Sequence, residues 1–555
     1  MNTAINKHLS TIIFLIFFFA SMGFHIFWWT QKDGFHWDEP EGIRMAVYDS
    51  SDTERALYLT EYTGKQAKEV YFGTDGSPKW FFNKIAGLWK KKSDMNHGNL
   101  YNILQAIFLV GLRTSESEQI LLRGAILNLF LFALSFCFFY LLMCLLFRDK
   151  KIFASVITFC TFLSTATLSN NLLMRPYMLQ ETMLIIFVYM FVKYIDIQKI
   201  KTVGKKIQPN LPLMVCMSLI TALSFLSGYF STLFVGFLGL YAIFYNLAKK
   251  QYNEIPAYFL ILAGGFIFSV LLDPNFFHLI KYPTRASEIT SYTLTTFGFF
   301  DNLELSLKTI LHNLYKYWWT VPVLCVTGFT ICYTTIFAKI KKIKLEIYFP
   351  CVIIFASALA FAFITMILAL PALKVLRYGV ASYSFFILLP AIFINNIKNK
   401  YVYVASLVLL CIAMSLNSFN ANNFQHLFHN KPAEYKFTQV PELPVLILEG
   451  GPPSMIVPYF EDTQRYVYFA DFKNFANRLT EMASPKITIN DSGDVEIVKK
   501  LDGFHLILPQ TYIASHPINF EMNSYDLIDT YDVGACPPET IEPYFRVYYF
   551  MLKQK

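Results

Sequence analysis

Apolar residues fall in stretches of roughly 18–20 along most of the chain, separated by short basic segments, and that alternation predicts membrane-spanning helices. The first stretch, 11–29, follows Lys7 and closes on Phe27-Trp28-Trp29, an interfacial anchor with no small-x-small cleavage pattern. It is therefore expected to stay in the membrane as the first span rather than leave as a signal peptide. Further spans are expected at about 122–147, 152–169, 176–194, 212–228, 230–248, 255–272, 317–338, 347–369, 380–395 and 401–418, about eleven in all. Residues 30–98 are polar and mixed in charge, with helical periodicity at Glu54–Leu59 and at Trp80–Trp89. The second of these places aromatic and basic residues as a helix lying on a membrane surface would. Ile103 to Leu112 is apolar but too short to cross.

Beyond residue 430 the period changes. Val445–Leu448, Met455–Val457, Tyr466–Phe469 and Phe504–Leu508 are short strand-like runs bounded by Gly, Pro and Asp, and Asp471–Met482 is helical in pattern. The expected architecture is an all-α polytopic membrane domain over 1–428, including a first outer loop at 30–120, followed by a small soluble α/β domain over 429–555.

The basic residues set the orientation. Arg148–Lys151, Lys193–Lys206, Lys249-Lys250, Lys339–Lys344 and Lys398–Lys400 all fall on one side of this succession, which the positive-inside rule makes cytoplasmic. The amino terminus is then cytoplasmic. The loop after span one, the loop 273–308 and the carboxy-terminal domain are then expected outside. Of 555 residues, 55% are hydrophobic and 15% charged, which is not a soluble composition. The net charge of +8 is accounted for by these loop lysines and calls for no nucleic acid. Of nine cysteines, only Cys536 is expected in water, and there is no CxxC or Cys/His cluster for zinc or iron–sulfur.

Candidate chemistry gathers on the outer side. Asp38 and Glu39 follow the first span directly, and adjacent carboxylates on regular backbone point apart, so one can face a cavity while the other pairs elsewhere. His97 and Tyr101 close the outer loop, Arg123 opens the second span, Arg175-Pro176-Tyr177 with Glu181 opens the fourth, and Arg377-Tyr378 lies between the ninth and tenth. A single arginine at a membrane edge snorkels. Three on one face beside a carboxylate loop suit an anionic head group, because guanidinium matches phosphate oxygens.

These landmarks, in this order, resemble the polytopic GT-C glycosyltransferases that include the protein O-mannosyltransferases and the aminoarabinose transferases of lipid A. Asp38-Glu39 is similar to the family's acidic pair, and His97-Gly98-Asn99-Leu100-Tyr101 to its His-Pro-Pro-Leu-Tyr stretch, with Gly98 and Asn99 in place of the prolines. Arg175-Pro176-Tyr177 is similar to its Arg-Pro-Tyr pattern, and Arg123 and Arg377-Tyr378 complete the set. The carboxy-terminal domain matches nothing in that pattern.

The resemblance implies a polyprenyl-phosphate sugar donor entering from the bilayer and an acceptor hydroxyl on a glycan, lipid or protein arriving from outside. Asp38 would be the general base, with Glu39 orienting the acceptor or an arginine. Arg377, Arg175 and Arg123 would hold the departing phosphate. His97, Tyr101, Tyr177 and Tyr378 would line the substrates. No cofactor is expected. Asp38, Glu39 and His97 are hard ligands that could converge on a divalent ion, although the family is generally metal-independent. The competing reading is a transporter or flippase for a lipid-linked or anionic solute, which would want charged groups deep within spans and broken helices.

Overall fold

A computed structural model describes residues 2–47 apart from 33 and 37, 61–90 apart from 74–76, 99–110, 117–201 apart from 149, 210–277 apart from 229 and 249, 301, 304, 307–308, 345–368, 379–419, 439–448, 456–469, 503–509, 525–533 and 545–552. The chain opens with α1 (Asn2–Thr30) and turns at Gly34, whose φ of 84° suits glycine alone. In α2 (Asp38–Val47), Pro40 occupies the first turn, where a missing N–H removes no intrahelical bond. The first loop continues through β1 (Glu61–Thr63), α3 (Gly64–Phe72), α4 (Pro78–Lys90) and α5 (Leu100–Phe108). Next come α6 (Ser117–Leu146), α7 (Lys151–Phe162), α8 (Thr165–Leu172) and α9 (Tyr177–Lys201). They are followed by α10 (Leu211–Ser227), α11 (Ser231–Ala248), α12 (Ile255–Leu272) and α13 (Leu345–Leu368). A 3-10 helix over Val380–Ile387 runs into α14 (Leu388–Asn395), and α15 (Lys400–Ser418) closes the helical part. The remaining strands are β2 (Val445–Leu448), β3 (Arg465–Phe469), β4 (Gly503–Pro509), β5 (Tyr525–Val533) and β6 (Phe545–Leu552).

Among the described residues, six helices are long and apolar enough to cross a membrane: α1, α6, α9, α11, α12 and α13. The pair α7–α8 makes a seventh if counted as one span, and α10, Val380–Asn395 and α15 are apolar but shorter. The expected span at 317–338 lies outside the described residues, as do Glu54–Leu59 and the expected helix at 471–482.

Two of the expected spans differ in form. The stretch 152–169 is not one helix: α7 and α8 meet at 60° across Leu163-Ser164. Ser164 caps the new helix by accepting from Thr167 N, and a run of hydroxyl and amide side chains offers the backbone alternatives to a continuous ladder. The stretch 380–395 begins as eight residues of 3-10 helix, longer than such runs usually persist, and all eight are buried. Elsewhere packing follows small residues. A Cβ on Gly264 or Gly265 of α12 would run into Ser218 or Thr221 of α10, so these glycines serve close helix contact.

Contacts divide the chain into two bodies. One comprises Met1–Gln31, Trp89–Tyr101 and Ala125–Gln425, and holds the spans. The other comprises Lys32–Leu88, Asn102–Gly124 and His426–Lys555, and is built on a six-stranded sheet in the order β1-β3-β2-β4-β6-β5. Parallel β3 and β4 flank β2, and the remaining neighbours are antiparallel. Val445, Ile447, Phe504, Ile507, Val547 and Phe550 form its buried core. An edge of this sheet comes from the first loop: β1 pairs with β3 through Glu61–Val467, Tyr62–Tyr466 and Thr63–Arg465. Residues 457–459, the end of the second expected strand among them, form a 3-10 turn instead, because Pro458 cannot donate to a ladder. A capping box between Thr63 and Gln66 starts α3, which packs on that turn.

His505 lies buried on β4, its ring stacked 4.7 Å from that of Tyr549, its register partner on β6. Burial lowers its pKa from 6.5 to about 4. The unfolded chain therefore takes up a proton below pH 6.5 that the folded sheet refuses until about pH 4, and stability contributed here is lost as pH falls through that window. In His505→Phe the acid-side fall between those pH values should flatten, as read by thermal unfolding of the full chain across a pH series.

Candidate functional site

The sheet-containing body carries the acidic pair. Asp38 and Glu39 are the first two residues of α2, and the Glu39 carboxylate lies at the positive end of the helix dipole. Glu39 is fully buried and accepts 2.5 Å from Lys32 Nζ and 2.6 Å from the His36 N–H. The His36 contact satisfies one of the donors that a helix start leaves without an intrahelical acceptor. The Glu39 N–H in turn donates to His36 O at 2.8 Å, so the entry to α2 is closed on itself. Burial pushes the Lys32 ammonium below its ordinary pKa, and the adjacent Glu39 carboxylate pulls the other way. One residue before His36, Phe35 is buried and its N–H donates 2.7 Å to the Tyr459 hydroxyl. Arg123 belongs to this body as well. Its Nη1 lies 3.4 Å from the carbonyls of Phe108 and Val110, at the carboxyl end of α5, where orphan acceptors and the negative dipole end attract a cation.

The helical body holds Tyr101, Arg175 and Tyr177, and one network links the first two. The Tyr101 hydroxyl donates 2.9 Å to Asn128 Oδ1, and Asn128 Nδ2 donates to the carbonyls of Asn171 and Leu173 at 2.7 and 2.8 Å. Leu173 O also accepts the Arg175 N–H at 2.8 Å. Asn171 returns a bond from Nδ2 to Asn128 O and accepts 2.8 Å from Trp29 Nε1. Four residues earlier on the same face of α1, a His25 ring nitrogen donates 3.0 Å to Phe162 O, the carbonyl freed where α7 stops. Groups at both ends of the broken segment, and the carbonyl before Arg175, thus find partners in an apolar setting that penalises loose polar groups. Tyr177 is buried at the start of α9.

One turn on, Glu181 is fully buried, accepting from Asn170 Nδ2 at 2.8 Å and from Ser384 of the 3-10 helix. His97, Arg377 and Tyr378 lie outside the described residues. No group of three or more His, Cys, Asp or Glu able to hold a metal occurs among the described residues.

Sequence reading passed over Lys32, Tyr459, Asn128 and Asn171. Two had a signal: Asn128 is an amide inside a long apolar run, and Asn170-Asn171 is separated by three residues from the Arg-Pro-Tyr segment.

The described residues thus define a polytopic helical membrane protein with a mixed six-stranded sheet. No family model and no curated protein matches it. Among solved structures the chain is similar to ArnT from Cupriavidus metallidurans bound to undecaprenyl phosphate, with 12% identity over 98% of this chain and 97% of that one and a TM-score of 0.43. The apo state of the same ArnT gives 11% identity over 99% and 98%, with a TM-score of 0.46. The Archaeoglobus fulgidus oligosaccharyltransferase tethered to an acceptor peptide gives 10% identity over 91% of this chain and 69% of that one, with a TM-score of 0.45. These are transferases of the GT-C kind that the sequence motifs resemble.

The buried pair yields a direct expectation. Lys32→Met strands the Glu39 carboxylate in a dry setting and should destabilise the protein by roughly 3–5 kcal/mol. The double variant Lys32→Met/Glu39→Gln, which keeps an acceptor for the His36 N–H, should recover most of that loss in chemical denaturation of the detergent-solubilised protein.

Proposed function

We propose that the chain is an integral-membrane glycosyltransferase that moves a sugar from a polyprenyl-phosphate donor to an acceptor hydroxyl on the outer face of a bacterial cytoplasmic membrane. The observation that carries the reading is the entry to α2. Of two adjacent carboxylates following the first span, Glu39 is engaged by Lys32 and the His36 N–H, so the proton-accepting role falls to Asp38. In the transfer, the acceptor oxygen forms its bond to the anomeric carbon as its proton passes to Asp38. The bond from that carbon to the phosphate oxygen breaks on the opposite face, giving inversion. The polyprenyl phosphate departs as an anion that needs no general acid, and Arg175 and Arg377 stabilise its charge. Arg123, placed on the end of α5, contributes by holding that helix. Tyr101, Tyr177, Tyr378 and His97 line donor or acceptor, and the acceptor is a glycan, lipid or protein.

A transporter or flippase is the second reading, favoured by the 60° break in α7–α8 and by Glu181, a fully buried carboxyl one turn into a span. Proteoliposomes carrying a fluorescent polyprenyl-phosphate sugar separate the two. Movement between leaflets without release of polyprenyl phosphate would favour transport.

For the leading reading, Asp38→Asn should lower transfer by about 10²–10⁴-fold with normal expression and unfolding temperature. The assay is release of free polyprenyl phosphate from a panel of lipid-phosphate sugars with and without acceptors. Near-normal release in the variant would remove Asp38 from the role.

A further inference from the structure

We infer that Tyr459 is a positioning residue for Asp38, and that the carboxy-terminal part of the chain serves transfer by fixing the backbone from which the base projects. The inference rests on the reading of Asp38 as base. Its ground is a set of contacts within the sheet-containing body. The Phe35 N–H donates 2.7 Å to the Tyr459 hydroxyl, and the two rings lie 6.2 Å apart at 65°. Both residues are buried, so the hydroxyl supplies an acceptor that water does not replace.

The turn carrying Tyr459 is itself braced. Its Tyr459 N–H reaches Ile456 O at 2.9 Å, the Phe460 N–H reaches Val457 O at 3.2 Å, and Pro458 fixes one backbone dihedral. From Phe35 the constraint passes to the next residue, His36, whose N–H and carbonyl both bind Glu39, and Glu39 is the covalent neighbour of Asp38. A second grip comes from residues just beyond the turn. The N–H groups of Gly64 and Lys65 donate to the carbonyls of Gln464 and Asp462 at 2.6 and 3.1 Å, and Lys68 pairs with Asp462 at 3.2 Å. These tie α3 to the sheet, and α3 packs on α2. A Cβ on Gly64 would run into the Glu461 carbonyl, so the approach is as close as backbone allows.

The test is Tyr459→Phe in the full chain, which removes the hydroxyl and keeps the ring. Two readouts are taken: hydrogen exchange over residues 32–39, and kcat with KM for a polyprenyl-phosphate sugar. Exchange at Phe35 should quicken, and kcat should fall about tenfold or more while donor KM stays within about twofold, since small misplacement of a catalytic group costs rate rather than binding. Asp532→Asn, which removes the Arg546 ion pair at the opposite edge of the same sheet, should leave kcat unchanged. If Tyr459→Phe fails to accumulate, 3,5-difluorotyrosine at 459 keeps the shape, weakens the acceptor and should move both readouts the same way by less.

Unchanged exchange overturns the inference. So does quickened exchange with unchanged kcat, or a parallel loss of kcat and unfolding temperature in Tyr459→Phe and Asp532→Asn. A wild-type protein that releases no polyprenyl phosphate from any donor defeats the transferase reading itself, and the inference with it.

Discussion

A carboxylate can enter a dry interior only if a cation or a set of N–H donors goes with it, and that constraint shapes the entry to α2. Glu39 is fully buried within reach of Lys32 Nζ and the His36 N–H. Removing either charge leaves the other in that interior without its counter-ion. The pair does little for net stability, because desolvation opposes the Coulomb gain. What it adds is an entry to α2 in which Lys32, Glu39 and the His36 N–H are engaged together. The first helical residue, Asp38, is the covalent neighbour of Glu39.

The helical body solves a related problem with neutral groups. Breaking a span at Leu163-Ser164 frees backbone carbonyls that hydrocarbon cannot satisfy. His25 and Trp29, one turn apart on α1, reach the two ends of the broken segment, and Asn128 on α6 reaches the carbonyls beyond it. The break is thus held by two other helices, and the residue that follows it, Arg175, hangs from the same Leu173 carbonyl that Asn128 binds. A guanidinium at the start of a span would ordinarily wander toward water. Here its backbone is fixed by a network of amides and an indole.

These arrangements explain what the sequence could and could not reveal. Long apolar runs such as Gln119–Leu146 and Ile255–Leu272 are local signals and were legible, as was an acidic pair directly after the first of them. The break in α7–α8 was hinted at by Ser164, Thr165, Thr167, Asn170 and Asn171, but hydropathy averages over such a run. The 3-10 form of Val380–Ile387 carries no compositional mark at all. In the sheet, β2 and β4 stood out because central strands are apolar. Strand β5, an edge with Asp526, Asp529 and Asp532 and a bulge after Leu527, reads as polar loop. Three residues, Glu61-Tyr62-Thr63, become β1 only because β3 offers them an edge, and no window of sequence contains both. Lys32 and Glu39 were both visible as charges, but their pairing depends on a turn through Gly34 that only coordinates supply.

The recruitment of β1, α2 and α3 into a body with residues 456–469 also bears on why a membrane protein of this design carries a carboxy-terminal sheet. A loop between spans is anchored at its two ends by the bilayer, and anchoring fixes position far less tightly than packing does. A group that must meet a substrate within hydrogen-bond reach needs its backbone held to a fraction of an ångström. The apolar helices cannot do this for a segment that has left them, because their packing ends where the polar loop begins. A sheet with a core of its own can, through the Tyr459 hydroxyl, the Gly64 amide and the β1–β3 ladder.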